Sequence, residues 1–425
     1  MIYREALAWL YGTQRFGIKL GLENVQRLFR ELNVPSPDQR IIHVAGTNGK
    51  GSVCAMIDSI SRAAGYRTGL FTSPHLVTFR ERIRVGGEMI ALDEVASGLT
   101  MLRDLIKDWE PHPTFFEITT ALALIHFKSA SCELIVLETG LGGRLDATNA
   151  LMPIVSVITP IGYDHEKWLG HTLEAIAGEK AGIIKATVPV VSAPQEPAPE
   201  KVIRARATEC DAPLEFVAAV YDRRRDESAT VIDRRYNVAL LAGRHQQQNA
   251  ALAIAALRAG KIAVTDDAIT RGLASVDWPA RFQLWDERTI IDGAHNPGGA
   301  HVLAETWREQ FGAERATIIL AVLRDKNVAE IGRILAPIGA RFILPQIRAE
   351  RALPPDELAW HLAAITPSFP TASPARTSIA PSFADALESA RATPERVLIT
   401  GSLHFAGEAL ATLSGDPDSL EDCAQ

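Results

Sequence analysis

The stretch His43-Val44-Ala45-Gly46-Thr47-Asn48-Gly49-Lys50-Gly51-Ser52 constrains this chain more than any other. Arg40 to Ala45 is an apolar run of strand length, three glycines (Gly46, Gly49, Gly51) follow it closely, and Val53 to Ala64 reads as a helix. Strand, glycine-rich turn and helix in that order form a phosphate-binding loop. Glycines let backbone N–H groups approach phosphate oxygens, and a helix N-terminus favours negative charge. Lys50 supplies a counter-charge and Ser52 a hydroxyl for a divalent cation. The loop departs from the usual nucleotide-binding pattern, which has a glycine five residues before the Gly-Lys pair and a Ser or Thr directly after the lysine. Val44 and Gly51 stand at those places. The plainer alternative is a glycine turn that only closes a βα unit; the lysine, the serine and the flanking elements together favour phosphate.

At 425 residues and 46.1 kDa the chain exceeds one ordinary core, so two or three domains are expected. Apolar residues make up 47% and charged residues 22%, the balance of a globular protein, and no apolar run is long enough to span a bilayer. Met1-Ile2-Tyr3-Arg4-Glu5 has no signal-peptide core, which points to the cytoplasm. A net charge of −7 excludes a surface built to coat nucleic acid, so any anionic ligand has to be held by local positive groups. Cys54, Cys132, Cys210 and Cys423 lack metal-type spacing and fit a reducing compartment.

Along the chain, Glu23 to Leu32 has helical apolar spacing, stopped by Pro35 and Pro37. Arg67 to Phe71 reads as a strand running into Thr72-Ser73-Pro74-His75-Leu76, where the Ser73 hydroxyl can reach a metal. In the basic run Arg80-Glu81-Arg82-Ile83-Arg84 a solvated strand edge and a ligand-facing role are evenly balanced. Thr114 to Ser129 reads as an apolar helix with Phe115, Phe116 and Glu117 near its start. Leu134 to Leu137 is a buried strand ending in Glu138, placed as a Mg²⁺ ligand would be, and a glycine loop, Gly140-Leu141-Gly142-Gly143-Arg144-Leu145-Asp146, follows. Phe115, Phe116, Glu117, Gly143 and Arg144 stand as candidate substrate contacts. Pro153 to Thr159 is another buried strand, followed by Asp164-His165; Leu173 to Lys185 reads as a helix and Val188 to Val191 as a strand. Several strands thus bring polar groups to one end of a parallel sheet, where open α/β folds bind ligands.

To about Leu241 the chain reads as a helix and short strands with charged turns such as Arg223-Arg224-Arg225-Asp226, and Gly243 to Asn249 opens an alanine-rich helix. The character changes at Asp277-Trp278-Pro279-Ala280-Arg281, which places a boundary between residues 277 and 278. The later part alternates strands and helices, with Pro367 to Pro381 as a loop. The expected fold is a doubly wound, mainly parallel α/β domain over 1–277 and a smaller Rossmann-like α/β domain over 278–425.

With these residues in hand, the chain resembles the folylpolyglutamate synthase and dihydrofolate synthase family, a branch of the Mur ligases. The phosphate loop matches that family's shortened form. Thr72 to Leu76, Gly140 to Asp146, Asp164-His165, Glu179-Lys180-Ala181-Gly182 and Asp292-Gly293-Ala294-His295-Asn296-Pro297 follow in the family's order. The resemblance implies ATP on Gly46, Thr47, Asn48, Gly49, Lys50, Gly51 and Ser52, with Asn249 and Arg281 contacting it and Asp292 reaching its ribose. It implies two Mg²⁺ ions among Ser73, Glu138 and His165, with Ser52 near the phosphates and Lys180 carbamylated by CO₂; a helical lysine beside Glu179 is otherwise a surface ion pair. It implies small-molecule substrates (a folate or dihydropteroate, L-glutamate and ATP), no nucleic acid, no membrane, and a monomer. Three positions depart from the family: Ala280 replaces a glycine, Asn327 replaces an acid after the Asp-Lys pair, and Lys19-Leu20-Gly21 lacks the acid common in members that take dihydropteroate.

The chemistry so implied is ATP-dependent amide formation. A carboxylate resists an amine because oxide is a poor leaving group, so the γ-phosphoryl group is first transferred to make an acyl phosphate, with Lys50 and the metal offsetting charge. His295 is a candidate for the base that frees the glutamate amine, or else a nucleotide contact. The rivals are a cell-wall Mur-type ligase, a phosphoryl-transfer kinase and a nucleotide-gated binding module.

Overall fold

The computed structural model describes residues 1–17, 21–219, 230–232, 241–365 and 376–421. Among them the first domain carries strands β1 (Arg40–Ala45), β2 (Thr68–Phe71), β3 (Ile83–Val85), β4 (Glu88–Met89), β5 (Leu134–Glu138), β6 (Val155–Ile158), β7 (Val190–Ser192), β8 (Leu214–Ala219) and β9 (Thr230–Ile232). They form one sheet in the order β4-β3-β2-β5-β1-β6-β7-β8-β9. Only the β2–β3 and β3–β4 pairings are antiparallel.

The strands at the centre are apolar on both faces because both faces are covered. Ile42, Val44 and Val136 pack under the helices Lys50–Ala63, Arg244–Ala259 and Asp266–Ser275, while Ile41, Ile135 and Leu137 pack under Leu92–Ile106 and Phe115–Ser129. Each fully buried Val, Ile or Leu among them contributes about 1.5–3 kcal/mol. Pairing sets Glu138 level with Val44, Leu137 level with Phe71, and Ile158 level with Ala45. The loops after β1, β2, β5 and β6 therefore open at one edge of the sheet, with β1 between β5 and β6 at the point where the strand order reverses.

The second domain carries β10 (Gln283–Leu284), β11 (Thr289–Ile291), β12 (Ala316–Leu320), β13 (Gly339–Pro345), β14 (Arg376–Ala380) and β15 (Val397–Thr400), ordered β10-β11-β15-β12-β13-β14. Every pairing but β10–β11 is parallel. Helices Pro297–Phe311, Val328–Leu335 and Pro355–Ile365 cover one face, and Phe383–Arg391 and Leu403–Leu413 the other. No helix of the described residues is long and apolar enough to cross a membrane.

Three expectations about elements change. The helix after the phosphate loop begins at Lys50, three residues before Val53, because left-handed Gly49 serves as its N-cap. The helix from Leu173 stops at Ala181 rather than Lys185, with Gly182 at its C-cap. The Pro- and Ser-rich stretch Pro367 to Pro381 is not all loop: Arg376–Ala380 is edge strand β14, and Thr377, Ser378 and Ile379 are solvated there, so its polar composition suits a strand with a free edge. The Arg223 to Asp226 turn and Lys19-Leu20 lie outside the described residues.

Candidate active site

The phosphate loop leaves β1 at Gly46, whose φ of +146° and crowding against Thr159 (a Cβ would lie 1.9 Å from Oγ1) admit glycine alone. The N–H groups of Thr47 and Asn48 are not free for phosphate: both donate to the Pro160 carbonyl, at 3.0 and 3.3 Å. The Thr47 hydroxyl also donates to Gly162 O and accepts from Gly162 N, each at 3.0 Å, which ties the loop to the end of β6. The donors left for an anion lie at the first turn of the helix Lys50–Ala63, where the N–H groups of Lys50, Gly51 and Ser52 have no intrahelical acceptor. Lys50 folds back over the loop, its Nζ donating to Thr47 O at 3.2 Å.

Two residues at the ends of neighbouring strands meet beside it. Glu138 is buried, and its Oε2 accepts the backbone N–H of Ser73 at 3.1 Å. Burial pushes the Glu138 carboxyl up, and the Lys50 charge and the Ser73 hydrogen bond pull it back. The Ser73 Oγ is enclosed and has no protein partner. A carboxylate beside an orphan hydroxyl, under a phosphate loop, is a hard-oxygen donor set of the kind Mg²⁺ takes together with phosphate oxygens and water. His165 arrives from the loop after β6 with a left-handed backbone. Burial lowers its pKa to about 4 against the opposing pull of Asp164, so its lone pair is free at neutral pH. No cluster of three or more His, Cys, Asp or Glu side chains of metal-binding type occurs among the described residues.

Lys180 departs from the surface ion pair its neighbour suggests. Glu179 pairs instead with half-exposed Arg144, at 2.7 Å, whereas Lys180 is buried and its Nζ donates to Gly46 O at 2.8 Å. Burial first, and the Lys50 charge second, lower its pKa to about 7. As an ammonium it cannot ligate a metal; as a free amine it is a nucleophile.

The second domain closes over the loop. Asn296 and Asn48 exchange both amide hydrogen bonds, at 3.0 and 3.2 Å. Asn296 Nδ2 also donates to Asp164 Oδ2 at 3.0 Å, and Lys326 Nζ meets Asp164 Oδ1 at 2.7 Å with both side chains buried. His295 is held between its Nδ1 contact with Gly293 O at 2.9 Å and its Nε2 contact with Asp164 at 3.4 Å. To act as a base it would have to leave Asp164. Burial alone would raise Asp164, but the His295 hydrogen bond and the surrounding His295, His165 and Lys326 charges hold its carboxyl well below the usual carboxylate range.

Asn249 lies against the loop, its Oδ1 2.7 Å from where a Cβ on Gly49 would be, and its Nδ2 donates to Gln246 Oε1 at 2.9 Å. Arg281 is half-buried beside Asp292 and Glu138, and desolvation there lowers its pKa. Asp292 spends its two oxygens on the N–H groups of Phe282 and Ala294, both at 2.8 Å, so its first task is to fold the interdomain turn. Ala280, in place of the family glycine, sits in that turn with a φ of +57°, the conformation that explains the family's choice. Asn327 accepts from Glu330 N at 3.2 Å as a helix cap, a service an acid would perform equally well.

Of the substrate candidates, Phe115 and Phe116 flank the site. Phe115 stacks on Tyr11 at 5.7 Å, and Phe116 lies at a similar separation from Phe71. Glu117 is buried, and one oxygen of its carboxylate accepts Thr114 N at 2.7 Å and closes a capping box, which gives it a part in starting the helix. Gly143 and Arg144 fasten the glycine loop, Arg144 N donating to Glu179 O at 2.7 Å and Gly143 O accepting from Asp146 N at 3.1 Å. The residue that sequence reasoning left undecided is Arg82. It is fully buried, its Nε donates to His75 Nδ1 at 2.9 Å, its guanidinium lies 5.4 Å over the Phe115 ring, and neither Nη has a protein acceptor.

Residues 44–257 match the Mur ligase middle domain and residues 280–403 the Mur ligase glutamate ligase domain. The dihydrofolate synthase/folylpolyglutamate synthase of Bacillus subtilis is 36% identical over 95% of this chain and 97% of its own. The chain belongs to the folylpolyglutamate synthase/dihydrofolate synthase family of Mur ligases. It is an enzyme of that family's ATP-dependent ligase class. Among solved family members, E. coli FolC in complex with DHPP and ADP superposes with a TM-score of 0.84 at 32% identity, covering 96% of this chain and 98% of that one. The bifunctional Yersinia pestis enzyme complexed with AMPPNP and Mn ion also gives 0.84, at 29% identity over 97% and 98%.

Proposed function

We propose that this enzyme joins L-glutamate to the carboxylate of a reduced folate, of dihydropteroate, or of both, with cleavage of ATP. The observation that carries the reading is Arg82. A fully buried guanidinium with two Nη atoms that lack a protein acceptor favours an anion, and one lying over Phe115 and near Glu138 fits the carboxylate of an aromatic acid presented to the phosphate loop. The names and bound ligands of the family members support the substrate class.

In this reading ATP lies on the first turn of the helix Lys50–Ala63, with Asn249, Arg281 and Asp292 at its nucleoside end and Lys50 against the transferring phosphoryl group. Ser73, Glu138 and His165, with Ser52, hold Mg²⁺, which when bound spreads the charge of the transferring phosphoryl group. Arg82 holds the acid's carboxylate in line. One carboxylate oxygen takes the γ-phosphoryl group from ATP and ADP leaves; the neutral glutamate nitrogen then attacks the acyl carbon, phosphate leaves with that oxygen, and the nitrogen gives up its proton to solvent. The second domain, held over the loop by the Asn296–Asn48 and Lys326–Asp164 contacts, keeps water from the acyl phosphate. Lys180, half neutral near pH 7, attacks CO₂, gives its proton to solvent and becomes a carbamate anion facing Lys50.

The reading also places the domain boundary between residues 277 and 278 and extends to a monomer in the cytoplasm. The test is mass-spectrometric: ATP, Mg²⁺ and L-glutamate with dihydropteroate in one tube and tetrahydrofolate in the other. A glutamate adduct in either tube supports the reading, and two adducts establish a bifunctional enzyme. No adduct in either refutes it.

A further inference from the structure

The loop from Thr72 to Arg82 begins at the proposed metal residue Ser73 and ends at the proposed carboxylate-binding Arg82. Its ends are joined, Thr72 N donating to Arg82 O at 3.1 Å. Its middle is organised by the Glu81 carboxylate, which accepts the N–H groups of Leu76, Val77 and Thr78 at 2.8, 2.8 and 2.9 Å. This hoop rests on both domains: Phe79 is buried in the core of the first. Leu76 and Val77 pack into the core of the second domain, and the helix Leu403–Leu413 comes so close that a Cβ on Gly407 would lie 1.9 Å from Leu76 O.

A second hold comes from the segment after that helix. Glu421 N donates to Val77 O at 2.8 Å. A single oxygen of its side chain, Oε2, accepts from Phe79 N at 2.6 Å, Tyr3 OH at 3.0 Å and Thr78 Oγ1 at 3.1 Å. Three donors from two separate parts of the first domain thus converge on one carboxylate supplied by the second domain. Burial raises the Tyr3 phenol pKa well above its ordinary value, so the phenol remains a donor at neutral pH. Charge-assisted bonds of this kind are about twice as strong as neutral ones.

We infer that Glu421 is a positioning residue: it clamps the crown of the Thr72–Arg82 hoop, and so fixes Ser73 and Arg82 against Glu138 and couples their placement to the second domain. Glu421 touches neither the nucleotide site nor the acid. It acts through the loop, and the inference rests on the proposed roles of Ser73 and Arg82.

The test compares Glu421→Ala, Glu421→Gln and Ser73→Ala in the full chain. It reads Mn²⁺ affinity by electron paramagnetic resonance with AMPPNP present, the KM for the acid, ADP affinity without metal, and Tm. Glu421→Ala is expected to weaken Mn²⁺ binding and raise the acid KM at least fivefold, with metal-free ADP affinity within twofold and Tm nearly unchanged. Glu421→Gln, which keeps an acceptor oxygen, is expected to recover most of both losses. If Ser73→Ala weakens Mn²⁺ while Glu421→Ala does not, the clamp is overturned and the metal site stands. If Ser73→Ala leaves Mn²⁺ binding unchanged, the metal site fails and the inference with it. If Glu421→Ala lowers metal-free ADP affinity and Tm in step with Mn²⁺ affinity, Glu421 is a general prop and the inference is overturned.

Discussion

Replacing Asp164 with asparagine tests how the two domains are held over the phosphate loop. Asp164 comes from the first domain and Lys326 from the second; their charges are 2.7 Å apart and both side chains are buried. At an effective dielectric constant of about 20, a pair at that distance attracts by about 6 kcal/mol, and desolvation takes back much of it. Breaking such a pair by removing one partner costs about 3–5 kcal/mol, because the other charge stays buried. Lys326 has one reserve, Asp325 at 3.5 Å, but that carboxylate is half-exposed and worth about 0–1 kcal/mol. The substituted amide also keeps an oxygen facing Lys326. The expected loss for Asp164→Asn is therefore about 2–4 kcal/mol, read from the urea midpoint of the ligand-free protein. Lys326→Met should cost a similar amount, and the double variant clearly less than the sum, with a coupling of about 2 kcal/mol. Additive losses, or an Asp164→Asn loss below about 0.5 kcal/mol, would refute the reasoning.

Three further outcomes follow from the site. The folded-state pKa of Lys180 lies near 7, below its ordinary value of 10.5. The unfolded chain therefore binds the extra proton between those values, so stability rises with pH from about 7 to 10.5; Lys180→Met should flatten that slope, and an unchanged slope would contradict it. Arg82→Ala should raise the KM for the acid at least tenfold while leaving ADP affinity within twofold, and Arg82→Lys should rescue poorly because a lysine cannot offer two Nη atoms. Asp292→Ala releases the N–H groups of Phe282 and Ala294 and a neighbour of Arg281, so the interdomain turn loosens and ATP affinity measured by calorimetry should fall about tenfold; an unchanged affinity would contradict this.

The strands that carry the site were legible because a parallel sheet covered on both faces demands unbroken apolar runs, as in Leu134 to Leu137, and each run ended in a polar residue that could be named. What stayed hidden was burial that depends on distant partners. Lys180 beside Glu179 reads as an exposed pair until Arg144, from another loop, takes the acid and the helix turns its lysine under Gly46. Glu117 reads as a candidate substrate contact, although Thr114 three residues earlier is the capping-box signal that gives it a structural part as well. Arg82 sits in a run of charges whose alternation gives no sign that one guanidinium is enclosed. The Asp164–Lys326 pair spans 162 residues and two domains, a separation that no local pattern encodes.

The account rests most heavily on a carboxylate that is phosphorylated before the amine attacks, and isotope transfer measures that directly. The acid is labelled with ¹⁸O in both carboxylate oxygens and turned over with ATP, Mg²⁺ and L-glutamate, and the released phosphate is weighed by mass spectrometry. The account predicts one ¹⁸O in each phosphate and one left in the new amide. Amide formed with unlabelled phosphate would contradict it.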